Sequence, residues 1–183
     1  MHPARLVIVC GLPGAGKTTR AVELEVRFGA VRMSPDDWLE RLGVDVWDEE
    51  ARGRIESIQG DLAADLLRAG TSVVVEWGTW MRSERDALRQ LAIDAGALVH
   101  LEFLDAPVDT LWERVTARGR EQRPGIGSRA IVRDDIVAWS DTIERPDADE
   151  LATYHPLPPV VAGERSASAS YPYGSWNPQS RPR

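Results

Sequence analysis

The sequence predicts an α/β fold: a mostly parallel five-stranded sheet with helices on both faces, in three layers. Three observations predict it. Short apolar runs rich in β-branched residues recur along the chain, and the first shows no polar alternation. Segments with helical periodicity separate these runs. Glycines stand where several of those segments should stop. Strands alternating with helices imply right-handed crossovers, which make the strands parallel and cover both faces of the sheet.

Residues 6–10, Leu-Val-Ile-Val-Cys, read as a strand buried on both faces. A glycine-rich loop follows at 11–16. Residues 17–28 have helical periodicity, with Gly29 as the stop. Residues 30–33 form a short second strand. Ser34-Pro35-Asp36-Asp37 opens a helix, with Ser34 as N-cap and Pro35 at the first helical position. Residues 48–68 form a long helix carrying Ile55, Ile58, Leu62 and Leu66 at core spacing, closed by Gly70. Residues 71–75 give a third strand, ending at Glu76. A helix over 82–95 stops at Gly96, and residues 97–104 give the fourth strand. Residues 107–118 are helical up to Gly119, residues 120–128 form an Arg/Gly/Pro loop, and residues 129–143 form a further helix. A fifth strand is placed near 151–154 or at Val160-Val161. One domain is assigned to 1–155 and a Pro/Ser-rich tail to 156–183. Tyr171, Tyr173 and Trp176 are the tail's candidate anchors.

Hydrophobic content of 43% and charged content of 28% over 183 residues suit a globular domain. A net charge of −7 argues against an extended phosphate-backbone footprint. A lone cysteine, Cys10, excludes an intrachain disulfide and reads as a buried structural thiol. No apolar stretch reaches the ~18 residues needed to span a bilayer, and the N-terminus has no signal-peptide pattern. A cytoplasmic protein without membrane partners is the expectation.

The strongest chemical signal is Gly11-Leu12-Pro13-Gly14-Ala15-Gly16-Lys17-Thr18, which fits G-x-x-x-x-G-K-[ST] between a buried strand and a helix. This is a phosphate-binding loop, and it specifies the P-loop NTPase version of the three-layer fold. Its glycines permit backbone angles that aim successive N–H groups inward, forming an anion nest at a helix N-terminus. Lys17 reaches the β- and γ-phosphates, the Thr18 hydroxyl suits Mg²⁺, and Thr19 adds a hydroxyl for the α-phosphate. Of 22 Lys plus Arg residues, Lys17 is the single lysine. A compact ammonium on a flexible stem fits a nest that a planar guanidinium does not. No Asn-Lys-x-Asp guanine-reading motif occurs, which favours ATP.

The chain resembles the small P-loop kinases, a group that includes polynucleotide 5′-kinases, zeta-toxin-type kinases and chloramphenicol phosphotransferase. The loop and residues 34–38, 73–85 and 111–119 carry the resemblance, which extends over roughly residues 5–145. It implies that Asp36 accepts the proton of the attacking hydroxyl, with Asp37 the weaker choice. The plain alternative is that both acids only favour a helix N-terminus. Asp36 is also a candidate Mg²⁺ ligand beside Thr18 and Glu76. Glu76 closes its strand at the carboxyl edge, where open α/β sheets bind ligands. There it holds a Mg²⁺ water or a substrate hydroxyl, unless it is merely an exposed strand-end acid. The resemblance also implies an arginine-bearing lid from Arg114, Arg118, Arg120 and Arg123, which neutralises charge on the transferring phosphoryl group, with Arg118 the best match. Trp77, Trp80, Arg82 and Arg85 form either the acceptor pocket or, alternatively, core and a solvated helix face.

Two departures bear on the acceptor. Trp38-Leu39 stand where the polynucleotide kinases carry an arginine, and Glu76-Trp77-Gly78 replace Asp-Thr-Asn. A hydroxylated small molecule therefore suits the chain better than nucleic acid. The competing readings are a non-kinase P-loop ATPase or regulatory nucleotide binder, and a kinase acting on a nucleic-acid 5′-end or a sugar-nucleotide.

Overall fold

Residues 6–10 have no solvent exposure, because strand β1 (Arg5–Gly11) is flanked by strands on both sides and covered on both faces. A computed structural model of the chain describes residues 3–121 and 129–159. After β1 come α1 (Lys17–Phe28), β2 (Val31–Met33), α2 (Pro35–Leu42), α3 (Glu49–Arg68) and β3 (Val73–Val75). Then follow α4 (Arg82–Asp94), β4 (Leu98–Leu104), α5 (Val108–Glu121), α6 (Arg133–Thr142) and α7 (Ala148–Leu151). Strand order is β2-β3-β1-β4 and every pairing is parallel.

The pleat divides the core in two. Val7, Val9 and Val74 face Ala21 and Leu24 of α1. Leu6, Ile8, Val73, Val75 and Val99 face the other way, against Ala63 and Leu67 of α3 and Leu88 and Ala92 of α4. A third cluster joins Leu12 to Leu111 of α5 and to Ile136 and Ile143 at α6. It ties the end of β1 to the helices that follow β4.

Four strands, not five, form the sheet among the described residues. Leu151 closes α7, whose first turn is capped by the Asp147 side chain accepting from the Glu150 N–H at 2.7 Å. Beyond it the chain does reach β4, where the His155 N–H donates to the Val99 carbonyl at 2.8 Å. That one backbone–backbone bond starts no ladder. Val160-Val161, Arg123 and the candidate tail anchors lie outside the described residues. Residues 156–159, assigned to the tail, pack on the body. Leu157 joins the α1-side core, and Arg27 donates to the Pro159 carbonyl at 2.9 Å.

Three local expectations change. Helix α5 runs through Gly119 to Glu121. Residues 129–132 are not helical, and α6 starts at Arg133. On α3, Ile58 and Leu62 are exposed while Gln59 and Ala63 are buried. The inward stripe is therefore rotated from the one the apolar residues suggested. Among the described residues no helix is long and apolar enough to cross a membrane.

Candidate active site

The turn from β1 to α1 depends on glycine. Gly11, Gly14 and Gly16 have φ values of 146°, 84° and 98°, a region side chains disfavour. At Gly14 the need is also steric, since a Cβ there would stand 2.6 Å from the Leu111 carbonyl oxygen of α5. The Ala15 N–H donates back to the Leu12 carbonyl at 3.1 Å, tightening the loop. Gly16 caps α1 without a side-chain bond, which leaves the first N–H groups of the helix to an anion. Lys17 Nζ donates to the Leu12 carbonyl at 3.2 Å. The side chain keeps some solvent contact, yet protein crowds its ammonium. Burial therefore lowers the pKa of Lys17 from the ordinary lysine value, against the opposing pull of Glu76 and Asp36.

Parallel pairing carries β3 beside β1 and delivers Glu76 to the loop. The Thr18 hydroxyl donates to Glu76 Oε1. Arg32, in the middle of β2, donates to Glu76 Oε2 at 2.7 Å and also to Asp37. Its Nε lies 3.7 Å from Glu25. Ser34 is the N-cap of α2, accepting from the Asp37 N–H at 3.4 Å. This start sets Asp36 toward the cleft, and Asp37 toward Arg32. Asp36 pairs with Arg52 of α3.

One cleft of about 780 Å³ gathers Gly14, Gly16, Lys17 and Thr18 of the loop, the acids Asp36 and Glu76, and four tryptophans. Trp77 donates its indole N–H to Gln59 Oε1 at 2.9 Å. Trp80 packs on Trp139 with ring centres 5.6 Å apart, and Trp139 packs on Trp47 at 6.1 Å. Arg118 lines the cleft. Arg114, one helical turn earlier, braces the loop instead, donating to the Gly14 carbonyl at 3.3 Å. Pro13 lines the cleft, Ala15 packs into the α5–α6 cluster, and Thr19 is exposed.

Arg85 corrects the sequence reading. It is fully buried, and neither a pocket residue nor a solvated one. Its Nε and Nη2 donate to Glu150 at 2.6 and 2.8 Å, and its Nη1 donates to the Trp80 carbonyl at 2.9 Å. The carboxylate partner, 65 residues away in sequence, is what lets a guanidinium sit there. Cys10 is the buried structural thiol expected, with Sγ donating to the Thr79 carbonyl at 2.9 Å and burial raising its pKa.

A family model described as an AAA domain matches residues 6–139. The chain belongs to the AAA domain family. Solved structures similar to this AAA domain include a kinase-annotated protein from Chloroflexus aurantiacus, at 22% identity and TM-score 0.63, covering 79% of this chain and 83% of that one. A gluconokinase from Sinorhizobium meliloti is similar at 21% identity and TM-score 0.54, covering 80% and 78%. A chain of an RNA repair complex is similar at 19% identity and TM-score 0.62, covering 84% of this chain and 44% of that one. The AAA domain thus spans less than half the length of that repair protein. No curated protein matches the sequence at a significant level. These likenesses establish a P-loop kinase-like fold.

The sequence reading of this AAA domain missed Arg32, Arg52, Trp47 and Trp139. Arg32 did leave a trace, since a charge inside a three-residue strand next to two acids calls for a partner. Arg52 and the two tryptophans sit in no motif. Only the packing of α2, α3 and α6 brings them to the cleft.

Proposed function

We propose that this chain moves the γ-phosphate of ATP to a hydroxyl of a small molecule, with Mg²⁺. The observation that carries the reading is that Lys17 and Asp36 share one cleft with a tryptophan-walled space beyond them. A nucleotide switch needs the nest alone, whereas a transferase needs room for a second ligand beside the γ-phosphate.

Thr18 and Glu76 would hold Mg²⁺, since hydroxyl and carboxylate oxygen already meet at the rim of the nest. No group of three His, Cys, Asp or Glu ligands occurs among the described residues. That suits Mg²⁺, which keeps several waters and binds through one or two protein oxygens and the phosphates. Bound there, the ion would neutralise charge on the phosphates. Lys17 takes the β- and γ-phosphates, and Arg118 brings positive charge to the same cleft. Asp36, oriented by Arg52, accepts the proton of the acceptor hydroxyl. As the new O–P bond forms, the bond from the γ-phosphorus to the β–γ bridging oxygen breaks and ADP leaves.

The test is transfer from ATP to a panel of hydroxyl compounds, read by mass spectrometry. Asp36→Asn should bind ATP with unchanged affinity and transfer phosphate about 10²–10⁴-fold more slowly. Unchanged transfer in that variant removes Asp36 as the base.

A further inference from the structure

Beyond Glu76 the cleft is acidic. Asp36, Glu49, Glu56 and Glu84 line it together with one cation, Arg52. Lys17 and Arg118, the other basic lining residues, belong to the phosphate end. Arg52 is committed to Asp36 and stays 3.8 Å from Glu56. Glu56 is half-buried and accepts no hydrogen bond among the described residues. Burial and the neighbouring Glu84, Asp36 and Glu49 push its pKa up, while Arg52 pulls it down. The site therefore disfavours a second negative charge, and its acids outnumber the single Arg52.

Two further features mark the same wall. The Thr79 hydroxyl, on a residue 3% exposed, and the Trp80 indole N–H are buried without hydrogen-bond partners. Unpaired groups of this kind are costly unless a ligand or water completes them. Gly60 also stands against Trp77, where an added Cβ would lie 3.6 Å from the ring edge. Aromatic faces attract cations as well as apolar ring faces. The wall already shows this habit, with the Arg129 guanidinium 4.2 Å over the Trp47 ring.

We infer that the acceptor is an aminated hydroxyl compound: its ammonium lies between Glu56 and Glu84, and its apolar face on Trp77. This rests on the kinase reading above. A sugar acid or a phosphorylated acceptor would instead bring its negative charge against these carboxylates, where Arg52 and Arg129 are already paired with Asp36 and Asp135.

The test separates binding from transfer. An aryl glucosaminide, the matching aryl glucoside and the matching aryl glucuronide are titrated calorimetrically into the full-length protein, and each is then assayed for phosphate transfer from ATP. The glucosaminide should bind at least about tenfold more tightly than the glucoside, from the pairing of its ammonium with two carboxylates in a partly buried cleft, and the glucuronide weakest. Glu56→Gln with Glu84→Gln should erase the preference for the amine while ATP affinity stays. A preference that survives both changes overturns the inference. So does equal or tighter binding of the glucoside or glucuronide, or no binding by any of the three. Amine-selective binding without transfer upholds the inference and removes the kinase reading. Transfer to the glucuronide alone does the reverse.

Discussion

The carboxylate of Glu150 in α7 receives two hydrogen bonds from the guanidinium of Arg85 in α4, and both side chains are almost wholly buried. The pair closes one side of the cleft wall from behind, because Arg85 also donates to the carbonyls of Thr79 and Trp80. Removing one partner of a buried pair strands the other charge in a site that cannot solvate it. Glu150→Ala should therefore lower stability by about 3–5 kcal/mol, read by urea unfolding. Arg85→Met with Glu150→Leu should recover most of that loss, since an apolar pair of similar volume has no stranded charge. If the double variant is as unstable as the single one, the pair is held for its backbone bonds and not for its charge.

The same pair shows where sequence reading stops. The strands were legible because β1 and β3 are continuous apolar runs, and the loop was legible because its glycines and Lys17 are contiguous. Helix bounds at α1 came from a local glycine stop. Arg85 looked like a surface or pocket arginine because nothing near it in sequence announces Glu150. On α3 the apolar residues Ile58 and Leu62 suggested the wrong face. Gln59 turns inward there because the Trp77 indole N–H supplies its partner. The acids after β2 were read as a group, and only the positions of Arg32 and Arg52 separate Asp36 from Asp37. Contacts that decide such roles span distant segments, and propensity carries no record of them.

Gly14 and Gly43 both adopt left-handed backbone, with φ of 84° and 69°, but only Gly14 is enclosed. A Cβ at Gly14 meets the Leu111 carbonyl, whereas one at Gly43 meets nothing within 4 Å. Gly43→Ala should thus incur only the backbone penalty, about 1–2 kcal/mol, with ATP affinity intact. Gly14→Ala should push the loop away from α5 and reduce ATP affinity by well over about tenfold, or roughly 1.4 kcal/mol and more. Parallel calorimetric titrations compare the two, and equal affinities would show that the loop does not rest on α5.

Lys17 gives a pH dependence with a definite sign. Burial lowers its pKa in the folded chain, so between that lowered value and the ordinary lysine value of about 10.4 the unfolded chain holds more protons. Stability should rise with pH across this range, and the penalty of the buried ammonium is present in full below it. Phosphates in the nest favour the ammonium, so ATP binding should take up protons there and weaken as pH rises. Calorimetry in two buffers of different ionisation heat measures the uptake. Lys17→Met should abolish both the uptake and the binding, without loss of folded stability. ATP affinity that stays flat from neutral pH to about pH 10 would place the titrating group elsewhere.

Thr18 and Glu76 meet by a direct hydrogen bond, and the other carboxylate oxygen of Glu76 is held by Arg32 at 2.7 Å. Arg32 thus fixes the carboxylate while leaving one oxygen at the rim of the nest. Glu76→Gln preserves shape but removes the charge that would attract a cation. The Mg²⁺ concentration needed for half-maximal phosphate transfer should rise about 10–100-fold, the range seen when groups orienting a metal site are changed. ATP binding without Mg²⁺ should hold or improve, because a carboxylate close to the phosphates has been neutralised. Arg32→Gln should raise the Mg²⁺ requirement by a smaller factor, since it frees the Glu76 carboxylate without discharging it. Titrating Mg²⁺ at saturating ATP distinguishes the outcomes. A Glu76→Gln variant with normal Mg²⁺ dependence and a raised KM for the acceptor would move Glu76 from the metal to the substrate hydroxyl.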